Sequence, residues 1–449
     1  MARFLEWKSL YEGEAMQIDD RVRRNQLDQR AAARLFRRLP FELDLRNAGE
    51  LDRVLGLCDE LLLRVDGRHD LDLLEAVVEN EPERWPVAAR VVVKLARSKW
   101  ALSRRPGAVH LSVVVPLYGE HERILRPSEH TLGEGFLDRK IRQLDWLCAG
   151  RPDQTWDLLL VDDGCPFESG RVAESILAER HAGKPARVIY LEEAIRSGHA
   201  LLSGLTSSGQ SQKGGAVHLG LWESAHGPGA KQGEQIIAFT DADLSTHLGQ
   251  LGLLVEALDR RGTVIAAGTR RATTSAVVKP PSRSARGRLF IYLWKKLLPE
   301  LGYLDDTQCG FKAMRAEHVG PIVAAAAERG FAFDLELLLR SELLCRRSIT
   351  PVPIAWIDSE ASSNTASTSV HLAMLRRVVS IVRESESARP TAEAFAKAID
   401  ALDEERWQSA IDQFGPKLEG IDPRLDTEVA PIGPADLISV DPDRSSLHV

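Results

Sequence analysis

Nine residues constrain this chain more than any others: Ile236-Ile237-Ala238-Phe239-Thr240-Asp241-Ala242-Asp243-Leu244. A short, mostly apolar, strand-forming run passes directly into two acids spaced i, i+2. Such a run reads as a buried parallel strand. The C-terminal end of a strand is where an open α/β sheet places its chemistry. In extended chain both carboxylates point to one side. Two hard oxygen ligands there suit Mg²⁺ or Mn²⁺, and such an ion in turn suits a diphosphate. Asp-x-Asp also occurs in many solvated turns, so the meaning of Asp241 and Asp243 depends on what else the chain carries.

The chain has 449 residues, which suits two or three domains. Hydrophobic residues make up 44% and charged residues 27%, enough to bury a large core. A formal charge of −7 argues against nucleic acid as a partner. Cys58, Cys148, Cys165, Cys309 and Cys345 are scattered without a CxxC pair, which signals neither a zinc site nor a disulfide framework and fits a cytoplasmic setting. The first residues lack the apolar stretch of a secretory leader. No run approaches the ~18 uncharged apolar residues of a membrane span, so the expectation is a soluble or at most peripheral protein.

Residues 1–108 read as a helical accessory domain. A charged helix is expected over 21–38, Leu51, Val54, Leu55, Leu57 and Leu61 recur at helical spacing, and another helix should run from Val87 to Leu102. Ser103 to Gly107 is the linker. A β-branched strand then runs through Leu111 to Val115 into Pro116-Leu117-Tyr118-Gly119-Glu120. A second apolar strand, Trp156 to Val161, ends in Asp162-Asp163-Gly164. A helix over 170–182 leads to a third strand, Ala186 to Leu191. This alternation predicts a parallel sheet with right-handed crossovers. Acids at strand ends can accept hydrogen bonds from a nucleobase edge and ribose hydroxyls. The GxGxxG fingerprint is absent, which disfavours NAD or FAD. Lys213-Gly214-Gly215 opens a helix, where glycine lets a backbone approach closely and the helix N-terminus favours anions. Strands Val264–Gly268 and Ile349–Trp356 complete the expected sheet, and a helix begins at Asp334 and Glu336.

Five blocks occur in order: Val-Val-Val-Pro-Leu-Tyr-Gly-Glu at 113–120, Val-Asp-Asp-Gly at 161–164, Lys-Gly-Gly-Ala-Val at 213–217, Phe-Thr-Asp-Ala-Asp at 239–243 and Asp-Thr-Gln-Cys-Gly-Phe-Lys at 306–312. Together they resemble glycosyltransferase family 2 over residues 110–360, the last block being most similar to the branch that makes dolichyl- or polyprenyl-phosphate glucose and mannose. The resemblance implies a GT-A fold, a mostly parallel sheet flanked by helices, over 109–360, followed by a helical extension over 361–449. It implies an inverting, metal-dependent transfer of a hexose from a UDP- or GDP-sugar, with Mg²⁺ or Mn²⁺, to a polyprenyl phosphate or a small hydroxyl compound. It places Pro116, Leu117, Tyr118 and Glu120 in the nucleotide pocket and Asp162 or Asp163 on the base. Lys213 and Gly214 lie near the nucleotide sugar, and Asp241, Ala242 and Asp243 at the metal and diphosphate. Asp306 and Gln308 border the sugar and acceptor, and Trp356 belongs to a loop over the donor. Asp334, with Glu336 as the fallback, is the base beside the acceptor. Two departures bear on the acceptor: the segment before Lys213 is lengthened by Ser197 to Gln212, and the expected C-terminal membrane helices are missing.

Lys279, Arg283, Arg286, Arg288, Lys295 and Lys296 surround Leu289, Phe290, Leu293, Trp294 and Leu297, whose i, i+4 columns mark a helix ended by Pro299. Two readings stand. One is a helix packed on the sheet edge with solvated cations. The other is a basic helix in peripheral contact with a membrane, with Arg283, Arg286 and Arg288 meeting a phosphate-bearing acceptor. Two other function classes stay open: a sugar-phosphate nucleotidyltransferase, and a non-catalytic binding member, against which the intact Asp-x-Asp argues. Helices are expected at 371–386 and 391–413, and the Asp- and Pro-rich chain from about 420 reads as a disordered tail.

Overall fold

The computed structural model describes residues 34–40, 42–81, 83–227, 233–278, 284–358, 368–384, 389–418 and 432–440. The chain forms two compact units, Met1–Arg104 and Arg105–Val449. In the first, α1 (Ala48–Leu62), α2 (Arg68–Asn80) and α3 (Val87–Arg104) pack together. Asn47 caps α1 by accepting from the Gly49 and Glu50 N–H groups, and Val54, Cys58, Leu71, Val78, Val92 and Leu95 form its core. The helix expected over 21–38 falls mostly outside the described residues.

The second unit is α/β. Its elements are β1 (Val109–Leu117), α4 (Phe136–Cys148), β2 (Gln154–Asp162), α5 (Ser169–Arg180), β3 (Ala186–Tyr190), α6 (Leu191–Arg196), α7 (Gly214–His226), β4 (Gln235–Thr240), α8 (Leu251–Leu258) and β5 (Ile265–Thr269). Then come β6 (Ala276–Val278), α9 (Ser284–Leu297), β7 (Phe311–Arg315), α10 (Ala316–Ala325), α11 (Phe333–Leu344), β8 (Ile349–Pro353) and β9 (Ala355–Ile357). The main sheet has the order β3-β2-β1-β4-β7-β5-β8, and β6 pairs with β9 in a small second sheet. The expected single strand 349–356 is therefore two, and its second half leaves the main sheet. β1 to β4 pair in parallel, whereas β7 runs antiparallel to both β4 and β5. β1 and β4 are buried along their whole length, which is why they read as continuous apolar runs.

The reversal at β7 positions the site. Pairing Thr240 with Phe311 brings the residues just before β7 against those just after β4, and the Asp241 N–H donates to the Gly310 carbonyl at 3.2 Å. The block at 306–312 thus meets the block at 239–243.

Beyond residue 361 the chain forms α12 (Thr368–Glu384), α13 (Pro390–Asp400), α14 (Glu404–Phe414) and α15 (Pro434–Ile438). The one helix expected over 391–413 is broken by Asp403, whose side chain caps α14 by accepting from the Arg406 N–H. The tail reading is corrected over 432–440, where Ile432, Leu437 and Val440 are buried. These helices share one apolar core with α9 and α11. Leu289, Phe290, Leu293, Trp294 and Leu297 are all at most 2% exposed, so the apolar columns of α9 face the protein and not a bilayer. Among the described residues no helix is long and apolar enough to cross a membrane.

Candidate active site

Asp241 and Asp243 follow β4 directly, each partly exposed, while Ala242 between them is buried. Three cations surround them. The Lys213 ammonium donates to Asp241 Oδ1. Lys140, fully buried on α4, donates its Nζ to the Asp243 carbonyl oxygen at 2.9 Å. The charges of Lys213, Lys140 and Arg270 hold the Asp241 carboxyl below its ordinary range although burial opposes them. Asp243 is pushed the other way, by burial and by the like charge of Asp241. Burial also pulls Lys140 down to about 8.

Gly310 makes this packing fit. A Cβ there would lie 2.4 Å from Asp241 Oδ2, so no larger residue leaves the carboxylate in place. The other strand ends close around the acids. Leu117 is buried, Tyr118 is exposed, and the Glu120 N–H donates to Ser169 Oγ at 2.9 Å. Glu120 pairs with Arg123 at 2.9 Å, yet burial lifts its carboxyl to about 7. Arg123 also bonds Glu134.

The two acids ending β2 serve the backbone. Asp162 accepts from the N–H groups of Gly164, Cys165 and Gly170, which ties β2 to the start of α5. Asp163 accepts from Ser211 Oγ at 2.6 Å and from the Lys213 N–H at 2.7 Å. Burial raises Asp163 to about 6. Lys213 is held at φ +78°, a region L residues avoid. The Arg329 carbonyl completes the clasp by accepting from the Gln212 and Gly215 N–H groups, both at 3.0 Å. Pro116 lies within β1, and Gly214 opens α7.

Asp306 is 7% exposed and holds Arg270 by a two-pronged ion pair, both contacts at 2.8 Å, which keeps its carboxyl well below the ordinary range against the cost of burial. The Arg270 guanidinium lies 5.3 Å from the Trp356 ring centre. The acid expected beside the acceptor is therefore the anchor of a cation. Gln308 is half-buried, and its amide donates to Met374 Sδ on α12 at 3.9 Å.

Asp334 and Glu336 open α11 and are both buried. Asp334 pairs with Lys312, whose side chain is 0% exposed and whose Nζ also donates to the Cys309 carbonyl at 2.8 Å. Burial raises the Asp334 carboxyl, with Lys312 and Lys213 opposing. Glu336 accepts from the Ala327 and Glu328 N–H groups and from Arg340, which gives it a structural role at the helix start. Of the tentative acceptor cations, Arg283 and the side chain of Arg286 lie outside the described residues, and half-buried Arg288 donates to the Gly415 carbonyl at 3.4 Å.

Lys140, Arg270 and Lys312 escaped the sequence reading. Lys140 carried one usable signal: with Phe136 and Leu144 it occupies an i, i+4 column that is otherwise apolar.

His218 on α7 is 0% exposed and accepts from the Arg329 guanidinium at Nδ1, 2.8 Å away. Burial and Arg329 push its pKa down to about 3. A base depressed on folding contributes stability above its unfolded value, about 6.5, and loses it as pH falls toward 3. The slope approaches ~1.4 kcal/mol per pH unit. Urea unfolding between pH 6.5 and 4.5 is expected to show a smaller acid loss in His218→Phe than in wild type. Equal losses in the two proteins would rule this titration out.

The residues fit a divalent cation. Asp241 and Asp243 present hard carboxylate oxygens close enough together that the charge of one raises the other. No group of three or more His, Cys, Asp or Glu ligands occurs among the described residues, so such an ion would draw its other ligands from a diphosphate and water, as Mg²⁺ commonly does.

The mostly parallel sheet, antiparallel β7 and acids at the end of β4 form the GT-A arrangement expected from the motifs, and the curated relatives are glycosyltransferases. No family-wide profile matches the chain. A dolichyl-phosphate beta-glucosyltransferase of Drosophila melanogaster is 27% identical over 263 residues, 58% of this chain and 70% of that protein. The human dolichyl-phosphate beta-glucosyltransferase is 26% identical over 296 residues, 64% of this chain and 79% of that protein. Among solved structures, glucosyl-3-phosphoglycerate synthase from Mycobacterium tuberculosis, in complex with Mn²⁺, UDP-glucose and phosphoglyceric acid, superposes with a TM-score of 0.42 at 18% identity, covering 65% of this chain and 82% of that one. These similarities make the chain a glycosyltransferase.

Proposed function

We propose that the chain transfers a hexose from a UDP- or GDP-sugar to a lipid-borne phosphate, with inversion at the anomeric carbon. The observation that carries the donor half is the Asp241–Asp243 pair at the end of β4, enclosed by Lys213, Lys140 and Arg270. Asp241 and Asp243 would hold Mg²⁺ or Mn²⁺, which supplies charge neutralisation for the departing nucleoside diphosphate. Lys213, fixed by Asp163, and Arg270, fixed by Asp306, direct two more cations to the same side. Glu120 and Tyr118 face the nucleotide end above buried Leu117, and Trp356 under Arg270 bounds the sugar.

The acceptor half rests on Lys312. A hydroxyl acceptor needs a base, and the base would be Asp334. Protonating Asp334 during transfer would take the counter-ion from the fully buried Lys312 ammonium and leave it the Cys309 carbonyl. A phosphate acceptor is already anionic: its oxygen forms the new bond to the anomeric carbon while the old C–O electron pair departs with the diphosphate. Asp334 then positions Lys312 and the β7 start. The names of the relatives, dolichyl-phosphate glucosyltransferases, point the same way.

The test is thermal stability with nucleotide sugars. UDP-glucose or GDP-mannose at about 100 times its Kd, with Mn²⁺, is expected to stabilise the protein by ~2.7 kcal/mol, and to do much less without the metal. No shift with any nucleotide sugar, or pyrophosphate release from a nucleoside triphosphate and a sugar phosphate, would overturn the assignment.

A further inference from the structure

The two places where this chain departs from a compact glycosyltransferase meet each other. The lengthened segment before Lys213, the segment 324–332 from the end of α10 to α11, and α12 line a cavity of about 1250 Å³. That exceeds the ~300–1,000 Å³ of pockets that hold drug-sized ligands, so it is larger than a small polar acceptor needs. Leu201, Leu205, Trp222, Phe331, Val370 and Leu372 give it an apolar wall.

Its cationic side is Arg329 and Arg376. Arg329 donates to the Ala326 and Leu201 carbonyls and to His218, and Arg376 to the Leu402 carbonyl at 2.5 Å. Neither has a carboxylate at ion-pair distance among the described residues. Arg377 also lines the cavity but is paired with Glu328, which leaves Glu404 on exposed chain as the remaining acid. Two guanidinium groups with no carboxylate at ion-pair distance, Arg329 sensing Glu328 and Glu336 only through space, stand beside an apolar wall and complement an anion carried on an apolar chain.

The cavity touches the donor site at three points. Gln212 lines it and precedes Lys213. Ala332 lines it and lies at the entry to α11, which carries Asp334. Met374 lines it and accepts from Gln308. These three contacts are where the head of an occupant would face the donor site.

We infer that this cavity receives the hydrocarbon chain of a lipid monophosphate acceptor, with the phosphate directed by Arg329 and Arg376. The inference rests on the acceptor reading above and deepens it, because it seats the chain inside the protein and not along α9, whose apolar columns are buried. The experiment irradiates the full chain with a polyprenyl monophosphate bearing a terminal benzophenone, in detergent micelles and without donor, and maps the adducts by peptide mass spectrometry. Adducts are expected within 200–212, 324–332 or 370–377. Excess unlabelled polyprenyl monophosphate should suppress them at least ~10-fold, and inorganic phosphate at the same concentration should not. Leu205→Glu, a charge set into the apolar wall at a half-buried position, is expected to cut labelling and raise the acceptor KM roughly tenfold while leaving the nucleotide-sugar thermal shift unchanged. Adducts confined to other segments, competition by inorganic phosphate alone, or labelling that Leu205→Glu leaves intact would each overturn the inference. Cross-linking needs no donor, so the two readings fail separately: cavity labelling without nucleotide-sugar binding removes the donor assignment, and donor binding without cavity labelling removes the cavity.

Discussion

Asp334→Asn is expected to cost about 3–5 kcal/mol of folding stability, the usual penalty for leaving a buried charge without its partner. The charge left without a counter-ion is Lys312, which would keep the Cys309 carbonyl, the Phe239 ring face and a neutral amide oxygen in place of the carboxylate. Lys312→Met is expected to cost a similar amount, by stranding Asp334. The double variant Asp334→Asn with Lys312→Met removes both charges together and should regain most of the loss, because a buried ion pair replaced whole is often close to neutral. Urea unfolding of the four proteins measures the coupling directly. The double variant also decides the chemistry. With a phosphate acceptor it is expected to bind donor and transfer. If it folds, binds donor and does not transfer, Asp334 is the base and the acceptor is a hydroxyl.

The second large effect is expected at the acid pair. Asp243→Ala should lower transfer by at least ~10²-fold, the scale on which removing one preorganised electrostatic element acts. The metal-dependent part of the nucleotide-sugar thermal shift should go with it. Without metal the variant should unfold no earlier than wild type, because it loses a carboxylate that repels Asp241. Gly310→Ala supplies the control that changes no charge: its Cβ would displace the Asp241 carboxylate, so donor binding should weaken although both acids remain. Full turnover of Asp243→Ala at saturating Mn²⁺ would remove the pair from the mechanism.

Much of the sheet was legible because its central strands are largely buried, whereas β7, which positions the site, was quoted within a motif and not expected as a strand. β1, β2 and β4 announce themselves as apolar runs, and each ends in the acid or loop that matters. What the residues do there was less legible. Asp162 and Asp163 look alike in sequence and both face backbone N–H groups, a fact set by how the chain turns after β2. Asp306, expected to border the sugar and acceptor, holds an ion pair that the sequence does not reveal, because its partner Arg270 comes from another strand end. Arg270, Lys140 and Lys312 carry charge into the site from positions to which the sequence analysis gave no role. The basic helix at 284–297 had two consistent readings, and burial by α12 to α14, remote in sequence, selects the packed one.

The backbone at Lys213 has a consequence for how such a protein can change over time. A lysine at φ +78° sits where glycine would rest more easily. Selection for heat resistance alone would favour a glycine there, and selection for turnover would resist it, since only the lysine reaches Asp241. In a lineage that moved to hotter surroundings, this position is where the two pressures would collide. Compensation would be sought nearby, at Asp163, Ser211 and the Arg329 carbonyl, whose bonds keep the turn from relaxing.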